Sequence, residues 1–180
     1  SRVWRLIEPF GSGTDIPAPK DVELSKDDRA LRRKTHVTID RVSVDLDRRV
    51  HLNTAVSALM ELVNELYSFC EQEQIGAFQF VQANRDDSSC GRKEALAVAK
   101  EGIEALVLMI SPFTPHLAEE LWEILGHKNG ISLARWPIYD PDVAMASEIV
   151  VPVQVNGKVR TRLTTIAEIS DDELRAEALN

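Results

Sequence analysis

"LNTAVSALMELVNELYSFC", residues 52–70, decides the fold class of this chain. Its apolar residues Leu52, Val56, Leu59, Val63, Leu66 and Cys70 step by four and three, which lays one stripe along a helix of about five turns and matches no strand period. Asn53 or Thr54 is expected to cap it. Such a stripe needs partners, and the neighbouring segments supply them. Upstream, a helix is expected to begin near Ser25, where Ser25, Asp27 and Asp28 suit an N-terminus, with Leu31, Ile39, Val42 and Leu46 at roughly helical spacing. Within it, "TIDRVSVDL" (38–46) also alternates as a strand would. Downstream, the polar "ANRDDSSCGR" (83–92) leads to "EALAVAKEGIEALVLMI" (94–110), apolar on nearly every side, the pattern of a helix at the centre of a bundle. "SPFTP" (111–115) stops that helix and starts another, with Thr114 at the cap, Pro115 at the first helical position, Leu117, Leu121, Trp122 and Leu125 turned inward, and Gly126 as the stop.

A shorter helical pattern opens the chain, with Val3, Leu6 and Ile7 at i, i+3, i+4 spacing. Five helices with connections of this length predict a mainly α fold, an antiparallel bundle. The connector "EPFGSGTDIPAPKDVE" (8–23) is rich in proline and glycine. After Gly126, residues 127–147 carry no helical stripe and are expected to form an extended strap, pinned by Trp136 and Ile138. Two domains follow from this pattern: a helical one over 1–147, strap included, and an incomplete α+β unit over 148–180, whose "SDDELRAEALN" offers Ser170 as an N-cap with Glu173 three residues on. Ser1 is not a methionine, and both ends are expected to be cuts from a longer chain.

Composition narrows function. At 180 residues, 44% of them apolar, the chain can bury one sizeable core. No apolar run is long enough to span a bilayer, no signal-peptide pattern opens the sequence, and Cys70 and Cys90 form neither a zinc pattern nor a disulfide framework, so a cytoplasmic protein without a membrane partner is expected. "HLAEE" (116–120) resembles an H-x-x-E-H zinc motif, but a glutamate stands where the second histidine belongs, and no metal site is expected. His36, His51 and His127 stand alone. Gly11 and Gly13 fall far short of a phosphate loop. No catalytic residue is assigned.

Charge is the informative feature. The formal net charge is −8, yet Arg29 to Arg49 holds seven Lys/Arg against three acids, a local +4. Arg29, Arg32, Arg33 and His36 lie within reach of one helical face, Lys34 beside them, and Arg2 and Arg5 add to the total. A second cluster sits in "VPVQVNGKVRTRL" (151–163), which reads as a hairpin. A two-residue Asn156-Gly157 loop would mix apolar and cationic residues on each face. A three-residue loop, Val155 to Gly157, sets Val153 against Val159, Val151 against Thr161 and Ile149 against Leu163, and gives Gly157 the left-handed position of a G1 bulge; this register is the one expected. It leaves Gln154, Lys158, Arg160 and Arg162 together on the solvated face. Such cations can blunt a sheet edge and basic helix runs are often plain solvated faces, but two basic patches on an acidic body suit a tracked phosphate backbone. Trp4, Trp122 and Trp136 all sit beside apolar residues and read as core rather than as base-stacking platforms. The other class left open is a helical module that docks an acidic protein.

"RVWRL", "RRKTHVTIDRVSVDLDRRVHLNTAVSALMELVNELY", "SPFTPHLAEELW", "RWP" and "VPVQVNGKVR" resemble the carboxy-terminal part of bacterial-type leucyl-tRNA synthetases, almost from end to end. "SPFTPHLAEELW" is shared with the isoleucyl, valyl and methionyl enzymes, whereas "NTAVSALMELVNEL" with "VQVNGKVR" points to the leucyl branch. The resemblance implies an anticodon-binding-type helical domain followed by the first half of a small α+β domain. It implies a monomeric parent that activates leucine with ATP and Mg bound outside this chain, charges tRNA(Leu) and edits. Its RNA-contacting residues would be Arg2, Arg5, Arg29, Arg32, Arg33, Lys34, His36, Lys158, Arg160 and Arg162, acting on phosphate and sugar rather than reading anticodon bases. Trp4 would pack, and Asn53 and Glu61 would be caps or helix contacts. Further strands beyond Asn180 are implied, and since two strands alone are marginal, residues from Glu148 onward are expected to be mobile unless the bundle covers them.

Overall fold

The structure is a computed structural model and describes residues 2–10, 16, 18–49, 51–75, 92–145, 148–155 and 158–166, with side chains placed through residue 145 except Pro9 and Arg49. The chain divides into two compact units, Ser1–Ala144 and Met145–Asn180.

The first unit is helical. Its elements are α1 (Arg2–Ile7), α2 (Lys26–Val44), α3 (Leu52–Gln72), α4 (Lys93–Ile110), α5 (Pro115–Ile124) and a short α6 (Pro141–Ala144). α2 starts on a capping box in which the Asp28 N–H donates to Ser25 Oγ at 3.2 Å and the Ser25 N–H returns a bond to Asp28 Oδ2 at 2.8 Å. The strand-like alternation of 38–46 is overridden: those residues continue α2 and pass into a π-helical turn, Asp45–Arg49. Helical burial of Leu31, Thr35, Ile39 and Val42 against two neighbours outweighs the local alternation.

α2, α3 and α4 pack against one another, α5 packs on α4, and α1 lies against α3 and α5. The junction of the three long helices is at Gly102, where an added Cβ would lie 3.0 Å from Leu66 Cδ2 and 3.1 Å from Thr35 Oγ1. A side chain there would need Leu66 and Thr35 to give by a few tenths of an ångström. α4 is the central helix, buried from Ala95 to Ala99 on every side and again at Ile103, Leu106, Val107 and Met109.

Three local expectations change. The stripe of α3 is buried from Leu59 onward, but Leu52 and Val56 are 49% and 40% exposed; Ala55 and Ala58, one step round the helix, take the inner positions in the first turns. Neither Asn53 nor Thr54 caps α3: His51 holds the N-cap position, and the Thr54 hydroxyl donates back to the His51 carbonyl at 2.8 Å. Ile138 is no pin, being 80% exposed, whereas Trp136 is held by one bond, its Nε1–H donating to Ser43 Oγ at 2.8 Å. α5 follows expectation, with Thr114 and Pro115 at its start, Leu121 and Trp122 buried, and Gly126 past its end at φ 93°.

Past Met145, the described residues of the second unit are β1 (Glu148–Val155) and β2 (Lys158–Ile166), paired antiparallel. The expected register is corrected. Val155 pairs with Lys158, Gln154 with Val159, Val153 with Thr161 and Val151 with Leu163, with an irregularity between Val153 and Gln154. Only residues 156 and 157 separate the paired ends, the loop length whose twist suits a hairpin best, and the extra residue is absorbed as a bulge. The uniform alternation expected of Lys158, Arg160 and Arg162 does not carry across that shift. The loop itself and the helix expected from Ser170 lie outside the described residues.

Candidate nucleic-acid interface

α2 carries most of the expected site, and its neighbours decide what each cation does. Arg32 and His36 turn toward α4, Lys34 and Arg41 toward α3, and Arg29 and Arg33 stand between. The Arg32 guanidinium clasps the Glu101 carboxylate through Nε at 2.9 Å and Nη2 at 3.3 Å. Burial pushes the Glu101 carboxyl up, yet the facing His36 ring and the Arg32 fork together hold it below the usual carboxylate range. Lys34 Nζ lies 2.8 Å from Glu61 Oε2, and this bond holds the Glu61 carboxyl low; Arg41 is 3.9 Å from the same group.

His36 is buried. Its Nδ1 accepts the Asp140 backbone N–H at 3.1 Å, tying the strap to α2, and its Nε2 lies 3.6 Å from Glu101 Oε1, beyond hydrogen-bond reach. Arg32 and Lys34 therefore join α2 to its neighbouring helices, and His36 joins it to the strap. Arg29 caps backward, Nη1 donating to the Leu24 carbonyl at 2.6 Å, and pairs with no carboxylate among the described residues. Arg33 and the exposed Arg5 have no ion-pair or hydrogen-bond partner among the described residues. Arg2 donates to Asn64 Oδ1 at 2.9 Å and lies 5.1 Å above the Tyr67 ring. The side chains of Lys158, Arg160 and Arg162 lie outside the described residues.

Two features were missed by reading the sequence. Arg92, at the N-cap of α4, reaches Glu73 past the end of α3 and Asp28 in the first turn of α2, with four contacts between 2.8 and 3.2 Å. Burial raises the Asp28 carboxyl, but the Ser25 bonds and the Arg92 guanidinium leave it below its ordinary value; Glu73 and Asp28 in turn push the Arg92 guanidinium up. Partners this far apart in sequence left no local signal. The second is Trp136, read as core and found 37% exposed at a recess beside the π-helical turn. The proline that follows it and the alternation of the strap could have suggested an outward ring.

The zinc-like motif on α5 is used otherwise: Glu119 Oε2 accepts the Ile131 N–H at 3.0 Å, and His116 is exposed. Among the described residues no group of three or more His, Cys, Asp or Glu could hold a metal ion, and no helix is long and apolar enough to cross a membrane.

Residues 28–174 match the model of the anticodon-binding domain of tRNA ligase. The chain belongs to that family. It is similar over 99% of its length to the leucine--tRNA ligases of Syntrophus aciditrophicus, 42% identical, and Geotalea daltonii, 36% identical. It spans about a fifth of the length of these relatives. Among solved structures it is similar to the LeuRS of Agrobacterium radiobacter in a ternary LeuRS-tRNA-LeuAMS complex, at a TM-score of 0.73 and 27% identity, over 99% of this chain and 20% of that one. The anticodon-binding domain is thus a mainly helical body whose long basic helix has half its charge built into helix contacts.

Proposed function

We propose that this anticodon-binding domain docks tRNA(Leu) through its sugar–phosphate backbone, as one part of a monomeric, cytoplasmic leucine--tRNA ligase. The observation that carries the reading is the 36–42% identity to leucine--tRNA ligases across 99% of the chain; the likeness to a LeuRS solved with tRNA supports it. That similarity favours the leucyl branch over the isoleucyl, valyl and methionyl ones. The parent ligase activates leucine with ATP and Mg and transfers it to tRNA. The described residues offer no acidic cluster for Mg, so no step of that chemistry is assigned to them.

Within the helical unit, Arg5, Arg29 and Arg33 are the cations that meet phosphate. Each presents a guanidinium with no ion-pair partner among the described residues, and a guanidinium fork suits phosphate oxygens. Arg2, Arg32, Lys34 and His36 act by position, fixing α1, α3, α4 and the strap around α2. In the second unit, Lys158, Arg160 and Arg162 are the candidate cations for phosphate.

The test is tRNA(Leu) binding and charging by the full-length ligase across a salt series. Charge reversal at Arg29 with Arg33, or at Lys158 with Arg160, is expected to weaken binding and flatten the dependence of log affinity on log salt by about 0.7–0.9 per lost contact. A module for an acidic protein partner would show no such dependence on RNA. Unchanged charging and slope in both variants would refute the docking assignment.

A further inference from the structure

We infer that the recess between the π-helical turn and Trp136 receives the base of an unpaired RNA nucleotide, stacked on the indole. The inference rests on the tRNA-docking reading and goes beyond it, since that reading needs phosphate contacts alone. The recess has a volume of about 580 Å³ and is lined by Asp40, Ser43, Val44, Leu46, Asp47, Arg48 and Trp136. That lies in the range of sites that hold small organic groups.

Three observations point to a base. First, the indole is fixed: Trp136 Nε1–H donates to Ser43 Oγ at 2.8 Å, and that hydroxyl donates to the Ile39 carbonyl at 2.6 Å, so the ring is anchored to the α2 backbone. The ring is 37% exposed and tethered to α2 by that bond, so one face is offered at the surface in a place that suits stacking. Second, the charges are divided. Arg48 is exposed and has no partner among the described residues, and Arg135, next to Trp136 in the strap, is in the same state. Both can meet the phosphates that flank a stacked base. Asp40 and Asp47 line the recess itself, where they repel a phosphate and accept from base N–H groups. An indole face, two carboxylate acceptors and a guanidinium gathered in one recess, with a second exposed arginine next to the indole in sequence, suit a nucleotide entering base first. Third, the chain there leaves α-helical geometry: the π-helical turn Asp45–Arg49 places Leu46, Asp47 and Arg48 around the recess, a local widening that an uninterrupted α2 would not make.

The experiment uses the 180-residue chain and follows its three indole Nε1–H signals by NMR, Trp136 being identified by its loss in Trp136→Phe. Titration with tRNA(Leu) and with a short single-stranded oligoribonucleotide is expected to shift the Trp136 signal and leave the buried Trp122 unmoved. Trp136→Ala is expected to weaken tRNA(Leu) binding roughly 5- to 150-fold, the usual worth of one stacked base. Its salt dependence should be unaltered, because no charge is lost, whereas Trp136→Phe retains most of the affinity. Arg48→Gln should flatten the salt dependence instead. If the chain binds tRNA with a normal salt slope but Trp136→Ala binds within twofold of it, the base pocket is wrong and the docking reading stands. An unmoved Trp136 signal with both RNAs also overturns the pocket. Equal losses in Trp136→Ala and Trp136→Phe would show a structural role for the Ser43 bond and overturn stacking.

Discussion

Removing Arg92 should loosen the end of the bundle where three helices meet. Its guanidinium makes two contacts to Glu73, at 2.8 and 3.1 Å, and two to Asp28, at 3.1 and 3.2 Å. Charged hydrogen bonds contribute about 1.5–3 kcal/mol each, so a naive total would be large. Two facts reduce it. The Arg92 side chain is 44% exposed, so water replaces part of what it loses and screens the Glu73 pair. The Asp28 carboxylate, fully buried, still accepts the Ser25 N–H at 2.8 Å. What remains is the cost of a buried carboxylate deprived of its cation, about 2–3 kcal/mol for Arg92→Ala. For a chain of this size that corresponds to a melting temperature about 4–12 °C lower. Urea unfolding followed by circular dichroism would measure it, with Asp28→Asn and the double variant completing a cycle. Asp28 is also a pH marker. Its folded carboxyl is held below the ordinary value, so its contribution is complete above the unfolded pKa of about 3.9 and is lost as pH falls through the lower folded value. The stability gap between the parent and Arg92→Ala should therefore be constant near neutrality and close in acid. A coupling between Arg92 and Asp28 under about 0.5 kcal/mol at pH 7 would refute this account.

Two other predictions concern the core. Gly102→Ala gains roughly 1 kcal/mol of helix propensity, yet its Cβ would press on Leu66, which is fully buried, and on Thr35; overpacking of about 1–3 kcal/mol should leave the variant no more stable than the parent, and stabilisation in the same urea assay would show slack at the junction. Cys70 is 5% exposed and burial pushes its thiol up to about 12, so at pH 8 it should react with a thiol reagent only as fast as the bundle opens; prompt reaction in a Cys90→Ser background would contradict its burial.

The periodic part of the fold was legible because burial and helical period agree over long stretches. Leu59 to Cys70 and the whole of α4 needed no partner to be identified in order to be read. Where packing overrode pattern, the reading slipped: Leu52 and Val56 fit the stripe of α3 but face outward, and Ala55 and Ala58, one step round the helix, take the inner positions. The register of β1 and β2 could not be chosen by alternation, since one bulge reverses parity. The site was less legible still. A run of cations in sequence states its charge but not the charge of what lies across from it, and Glu101 and Glu61 are 69 and 27 residues from their partners.

That separation explains how a strongly anionic chain can present usable positive charge. An ion pair at hydrogen-bond distance has little field beyond the screening length of about 8 Å in physiological salt. Arg32 with Glu101, Lys34 with Glu61, and Arg92 with Asp28 and Glu73 are therefore nearly silent to an approaching polyanion, whatever they do for the bundle. The field that a phosphate meets at α2 comes from Arg29 and Arg33, which share its outer ridge with Lys26 and lack a facing carboxylate in their own turn. Asp40, two turns further along that ridge, bounds it and lines the recess at Trp136. The helix thus divides by face: its flanks carry paired charge that fixes its orientation, and its ridge carries the cations whose orientation the flanks set. Loss of a flank pair should then displace the ridge as well as weaken the bundle, whereas loss of a ridge cation should leave stability within about 0.5 kcal/mol, as is usual for an exposed substitution.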